Sequence, residues 1–212
     1  MKKNRISLFL LAFFILLSAV FMTYFYNVSH SQRKILPVLG NPGHRIDTFS
    51  FVNQDGNTVS TKDVQGKICV VEYFFATCRG ICPKMNENME TVYQAFRGDK
   101  DIMILSHTVD PLKDTVAALK AYSRRFDADG KQWMFLTGDK KKLYDMARSS
   151  YLVTAVDDTA VLDIKSDFIH TKYWVLIDGD GRIRGMYDGT NLGSVNQLIG
   201  DIKDLKKEKE KS

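Results

Sequence analysis

The longest feature of the chain's polarity pattern is an uninterrupted apolar one. Ile6 to Tyr26 are 21 consecutive uncharged, mostly apolar positions, and about 20 are enough for a helix to cross a bilayer. Beyond it the pattern breaks into short elements. Phe49, Phe51 and Val59 flank Asn53-Gln54-Asp55-Gly56-Asn57, which predicts a hairpin around Asp-Gly. Lys67 to Phe75 and Ile102 to Val109 are too continuously apolar to have a wet face and read as strands inside a sheet. Met85, Met89, Val92 and Phe96 are spaced 4, 3, 4, one face of a helix. Leu112 to Phe126 reads as a second helix, Trp133 to Leu136 as a short strand, and Asp139 opens a third helix with Leu143, Met146 and Ala147 inward. Tyr151 to Phe168 has no period and reads as a long excursion. Tyr173–Ile177, the turn Asp178-Gly179-Asp180-Gly181 and Arg182–Tyr187 predict a closing hairpin, and Leu192 to Leu205 a last helix that frays into a Lys-Glu tail. Strands alternating with helices imply a βαβ core to which the hairpins add antiparallel strands.

Charge sharpens the reading of the ends. Lys2, Lys3 and Arg5 precede the apolar run, and no acidic residue occurs before Asp47. The positive-inside rule then puts residues 1–5 in the cytoplasm, makes 6–26 a single transmembrane anchor and places the rest on the outer, periplasmic or extracytoplasmic side. A cleaved signal peptide is the competing reading, but its apolar region is only about 7–15 residues and ends in small residues. Here the run ends Phe21-Met22-Thr23-Tyr24-Phe25-Tyr26. Residues 27–46 read as a tether, 47–205 as the folded domain and 206–212 as a charged tail. The net charge of +5 belongs to the two ends. Without Lys2, Lys3, Arg5 and everything from Lys203 onward, 22 basic residues face 22 acidic ones. A neutral body argues against nucleic acid as a partner, which needs a basic face on the domain itself.

The chemistry sits in Cys78-Arg79-Gly80-Ile81-Cys82-Pro83. Pro83 suits the opening of a helix, whose N-terminal partial positive charge favours thiolate over thiol. Two such thiols can exchange electrons through a disulfide or grip a soft metal ion. A dithiol at the end of the first buried strand, opening a helix, is the layout of a thioredoxin-like α/β fold, a central mixed sheet flanked by helices. Cys69, inside its strand, reads as a small core residue, and the methionine stripe as core rather than extra ligands. His30 and His44 fall in the tether, and His107 within a buried strand, where a core role fits better than ligation. His170 stands at the entrance to Tyr173–Ile177, the place that a thioredoxin-like sheet brings beside the dithiol. A thioredoxin-type oxidoreductase carries a proline in that loop; this one reads Phe168-Ile169-His170-Thr171-Lys172, and the last of four prolines is Pro111. Two thiolates and an imidazole suit Cu(I) and are able to hold Cu(II). The Asp-rich turn lacks the spacing of an EF-hand and reads as a tight turn.

With these residues in view, the chain resembles the Sco/SenC family of membrane-tethered copper proteins of cytochrome c oxidase assembly. The resemblance spans roughly residues 47–205. It rests on Thr77 to Pro83, on Ser106-His107-Thr108-Val109-Asp110-Pro111, on Trp133-Met134-Phe135-Leu136-Thr137-Gly138, and on His170 followed by Tyr173 to Gly179. It implies copper ligands at Cys78, Cys82 and His170, with Asp110 supporting the histidine or the ion from outside, unless Asp110 is only a turn residue before Pro111. It implies a metallochaperone rather than an enzyme, one that delivers copper to oxidase subunit II or another acceptor, or reduces that acceptor's cysteines with electrons from a thiol reductant. Two departures are His107, where the family usually has a small or apolar residue, and Arg79 between the cysteines. A membrane-anchored thiol–disulfide oxidoreductase and a copper or redox sensor remain open as rivals, since both use the same dithiol.

Overall fold

The computed structural model describes residues 2–31, 35–153 and 171–210. His170 and the predicted excursion beyond Val153 lie outside them. The apolar run forms helix α1 (Lys2–Ser31), within which Ile6–Phe25 has a mean hydropathy of 2.6 and is long and apolar enough to cross a membrane. The helix continues five residues past Tyr26, into what reads as tether from sequence. It is one unit, and the chain from Leu36 onward is a second.

The second unit is built on a seven-stranded mixed sheet. Its strands are β1 (Ser50–Asn53), β2 (Thr58–Ser60), β3 (Ile68–Phe74), β4 (Ile102–Thr108), β5 (Trp133–Thr137), β6 (Tyr173–Ile177) and β7 (Ile183–Asp188). They lie in the order β2-β1-β5-β4-β3-β6-β7. β3, β4 and β5 run parallel, while β6 is antiparallel to β3 and β7 to β6. This is the thioredoxin-like α/β arrangement expected from the order of elements. Helices α3 (Cys82–Ala95), α4 (Val116–Ser123) and α6 (Leu192–Lys209) pack on one face. The single turn α2 (Thr61–Val64), α5 (Lys140–Asp145) and a π-helical turn (Met146–Ser150) close the other. Met85 and Met89 are buried core residues, as their spacing predicts.

Three boundaries differ from the pattern. The predicted helix from Leu112 begins only at Val116, because Lys113 and Asp114 donate back to the Asp110 carbonyl and Thr115 caps Ala118 N–H. The closing helix runs to Lys209 instead of fraying at Leu205. Its last turns are tied down by Lys206–Asp99, Lys209–Asp101 (2.5 Å) and Arg184–Glu208 (2.9 Å) pairs. The segment from Leu36 to Ile46 is docked on the domain. Leu36 is buried, Arg184 donates to the carbonyls of Leu36 and Pro37, and Ile46 N–H bonds Gly181 O.

Two buried polar side chains mark the opposite faces of the central strands. Side chains alternate along a strand, so Glu72 joins Ile68, Val70 and Phe74 on the face covered by α3, α4 and α6. It is fully buried, and Ser106 Oγ donates to it at 2.5 Å while Trp133 Nε1 donates to Ser106 at 2.9 Å. Burial pushes its carboxyl up to about 7, against the pull of Ser106 and Trp174. His107 lies on the other face. Phe49, Phe51, Tyr73 and Tyr151 ring it at 5.2–6.2 Å, and Tyr151 OH meets its Nε2 at 3.3 Å. Burial drives its imidazole down to about 3, so it is neutral in the fold. His107 is a core residue, as its place in a buried strand indicates.

These groups set opposite pH trends. A buried acid with a raised pKa binds its proton more tightly in the fold, so stability declines as pH rises from about 4.5 to about 7. A buried neutral histidine has the reverse effect, and stability is lost as pH falls from 6.5 toward 3. Glu72→Gln keeps the shape and the acceptor for Ser106. It should therefore leave stability at pH 4.5 nearly unchanged and raise it at pH 8 by roughly 2–3 kcal/mol. Urea unfolding of parent and variant at the two pH values checks this.

Candidate metal and thiol centre

The dithiol forms where strand geometry gives way to helix geometry. β3 ends at Phe74, a turn closed by Cys78 N–H to Phe75 O (3.1 Å) follows, and α3 starts at Cys82 with Pro83 in its first turn. Ile81 is the N-cap position, and its carbonyl accepts from Met85 N–H at 3.0 Å. The three cysteines are free thiols. Cys82 is 5% exposed and packs into the core under α3, while Cys78 is half-buried. The pair therefore has an inner and an outer sulfur, and only the outer one is open to a partner.

Electrostatics reinforces the difference. Sequence alone suggests that the helix start should favour thiolate at both positions; the structure corrects this for Cys82. Burial pushes its thiol up, and the hydrogen bond to Cys78 adds to the effect. The Phe75 backbone N–H offsets part of the rise, while the charges of Cys78 and Glu72 oppose a thiolate there. Desolvation outweighs a helix-end effect worth typically 0.3–1 kcal/mol. Cys82 therefore favours its protonated form. Cys69 lies on the other face of the sheet, fully buried, its thiol pushed up by burial to about 12. It takes no part in the site.

The loop that carries the thiols is held from below by a residue that sequence reasoning missed. Asp114 is 1% exposed and accepts from Ala76 N–H at 3.1 and 3.3 Å and from Thr108 Oγ1. It clamps the turn before Cys78 to the end of β4. Asp110, singled out from the motif, is at the same edge but salt-bridged to Lys113 at 2.9 Å, with its side chain 17% exposed. Asn86 in α3 adds a second brace, donating to Cys82 O at 3.0 Å and to Tyr122 OH at 2.9 Å.

The third expected ligand, His170, lies outside the described residues, but the residues that follow it do not. β6 runs antiparallel to β3 with Val175 opposite Val71, so β6 begins at the pole where β3 ends. Thr171 is buried there, and its Oγ1 accepts from Tyr173 N–H at 3.1 Å. Lys172 O accepts from Gly189 N–H at 2.8 Å, and Asn88 of α3 donates to Gly189 O at 2.7 Å. A Cβ on Gly189 would stand 2.4 Å from the Trp174 ring, so only glycine allows this seam to close. Among the described residues no group of three metal-ligating side chains assembles. Cys78 and Cys82 are the two soft donors that the described residues bring to this pole.

Comparison with known proteins agrees with this geometry. The family model for SCO1/SenC matches residues 40–207. The SCO1 protein homolog of Bacillus subtilis is 26% identical over 162 residues, 76% of this chain and 82% of that protein. The mitochondrial SCO1 homolog of Mus musculus is 28% identical over 171 residues, which span 78% of this chain but 55% of the mouse protein. Among solved structures, the SCO1/SenC family lipoprotein of Bacillus anthracis superposes with a TM-score of 0.66 at 28% identity, covering 80% of this chain and 99% of that one. The ScoI of Bradyrhizobium japonicum, solved with copper bound, shares the fold with a TM-score of 0.58 at 24% identity over 75% of this chain and 98% of that one. With a shared fold and a family match over residues 40–207, most of its length, the chain belongs to the SCO1/SenC family.

Proposed function

We propose that this chain is a membrane-anchored copper carrier of cytochrome c oxidase assembly. It takes up copper between Cys78, Cys82 and His170 and hands it to the copper site of oxidase subunit II. The observation that carries this reading is the pair of free thiols between β3 and α3, with Cys78 half-buried and Cys82 buried. Such a pair offers two soft donors at once, and β6 starts at the pole where β3 ends, two residues after Thr171, which is next to His170 in the chain. Asp110, held by Lys113 at the same pole, supports the histidine or the ion from outside. α1 holds the carrier to the membrane with its basic N-terminus in the cytoplasm. Members of the family are described as cytochrome c oxidase assembly proteins, and several have been solved with copper bound.

A second reading has its own observation. An outer and an inner thiol in contact also suit disulfide exchange, with Cys78 attacking and Cys82 resolving. The two readings share the thiols and part at His170. A reductase works without the imidazole; a carrier does not.

Two outcomes follow. His170→Ala should weaken copper binding by at least tenfold, measured by competition with a chromophoric Cu(I) chelator, while the dithiol still oxidises to a disulfide. Equal affinity in parent and variant would remove His170 from the ligand set. Because the Cys82 thiol is protonated well above neutral pH, loading copper at pH 7 should release its proton. Affinity should therefore rise with pH between 6 and 8, and an indicator dye should record a proton that Cys82→Ser no longer releases.

A further inference from the structure

From Asp47 onward, the described residues include just three large apolar side chains that are exposed: Ile81 at 40%, Leu112 at 87% and Leu192 at 55%. Single exposed apolar residues are ordinary on a protein surface, but these three are not scattered. Ile81 lies between the cysteines. Leu112 is in the loop that leaves β4, and Leu192 opens α6 after β7. β3 and β4 are parallel, and β7, reversed twice through β6, points the same way. All three side chains therefore stand at the dithiol pole. The strands run in the order β4-β3-β6-β7, so neighbour spacings of 4.7–4.9 Å put the outer two loops roughly 15 Å apart. One partner surface can cover that span.

The charges at this pole are arranged to match. Lys84 pairs with Glu87 (3.6 Å), Lys113 with Asp110 (2.9 Å) and Lys172 with Asp188 (2.7 Å). Arg79, exposed between the two cysteines, forms no ion pair among the described residues. Among the described residues the rim thus shows three apolar side chains, self-neutralised pairs and, beside Cys78, the unpaired cation Arg79.

We propose that Ile81, Leu112 and Leu192, with Arg79, form the docking surface for an acceptor protein whose own cysteine site sits in an apolar patch with one carboxylate set to meet Arg79. The inference rests on the copper-delivery reading and names its partner surface. Transfer is ligand exchange. The bonds from copper to Cys78, Cys82 and His170 break one at a time as bonds to acceptor ligands form, copper keeps its oxidation state, each acceptor thiol's proton passes to the sulfur released, and His170 leaves as a neutral imidazole. Acceptor sulfurs have to come within bonding distance of the ion, so the two surfaces close around it. An apolar rim loses its water at that step and favours closure, while Arg79 sets the register.

The test uses the full-length chain in detergent micelles, loaded with one equivalent of Cu(I). The acceptor is the reduced, metal-free soluble domain of cytochrome oxidase subunit II, and transfer is followed by stopped-flow. The Leu112→Glu/Leu192→Glu double variant should bind Cu(I) within twofold of the parent, by chelator competition, yet transfer at least tenfold more slowly. Leu112→Asn alone, at the most exposed position, should slow transfer by a smaller factor. The parent rate should fall with added salt, and Arg79→Glu should lose that dependence. Parent-like rates in the leucine variants would overturn the docking surface and leave the delivery reading intact. Failure of the parent itself to transfer copper would overturn that reading and the docking proposal with it. If sedimentation shows the parent dimeric and the double variant monomeric, the occupant is a second copy, which also overturns the proposal.

Discussion

The site depends on one asymmetry, the burial of Cys82 against the exposure of Cys78. It arises because β3 ends one turn before α3 begins, so the first sulfur stays on the connecting loop while the second enters the core beneath the helix. Burial raises the inner thiol, and the nearby Cys78 adds to the rise. A dithiol of this kind is at rest until a soft ion or a disulfide arrives. Among the described residues Cys78 is the more open of the two sulfurs.

The rest of the fold serves to hold that pole still. Asp114 fixes the turn before Cys78 by taking Ala76 N–H, and Asn86 fixes the first turn of α3. Gly189 lets the start of β6 close against α3 and Trp174. At the far end of the sheet, Arg184 collects Asp178, Glu208 and the carbonyls of Leu36 and Pro37. The chain thus enters the domain at the end of β7 remote from the dithiol, through contacts that do not involve the site.

What the sequence discloses is what depends on neighbours in the chain. The thiol pair, Pro83 at the helix start, the methionine stripe and the order of strands and helices are local patterns, and each is found where the pattern puts it. What it withholds depends on register. The run from Lys67 to Phe75 reads as featureless and apolar. Only the alternation of the strand shows that Glu72 faces Ser106 and the dithiol side while Tyr73 faces His107. Asp114 contacts Ala76 from 38 residues away, a distance at which no sequence pattern operates. Asp110, two positions from the end of β4, attracts notice instead because it lies in a recognisable motif. The thiolate expected at Cys82 fails for a similar reason, because helix position is local and burial is not. Docking of Leu36 to Ile46 is equally hidden, since it rests on isolated side chains and carbonyls rather than on any period.

The central claim is that two sulfurs from one turn and one imidazole from a distant segment hold a single copper ion. X-ray absorption at the copper edge of the reduced, copper-loaded chain tests it most directly. The account predicts a first coordination shell fitted by two sulfur atoms and one nitrogen, with the imidazole's outer-shell scattering present in the parent and absent after His170→Ala. A shell of sulfur alone, or imidazole scattering that survives the substitution, would contradict it.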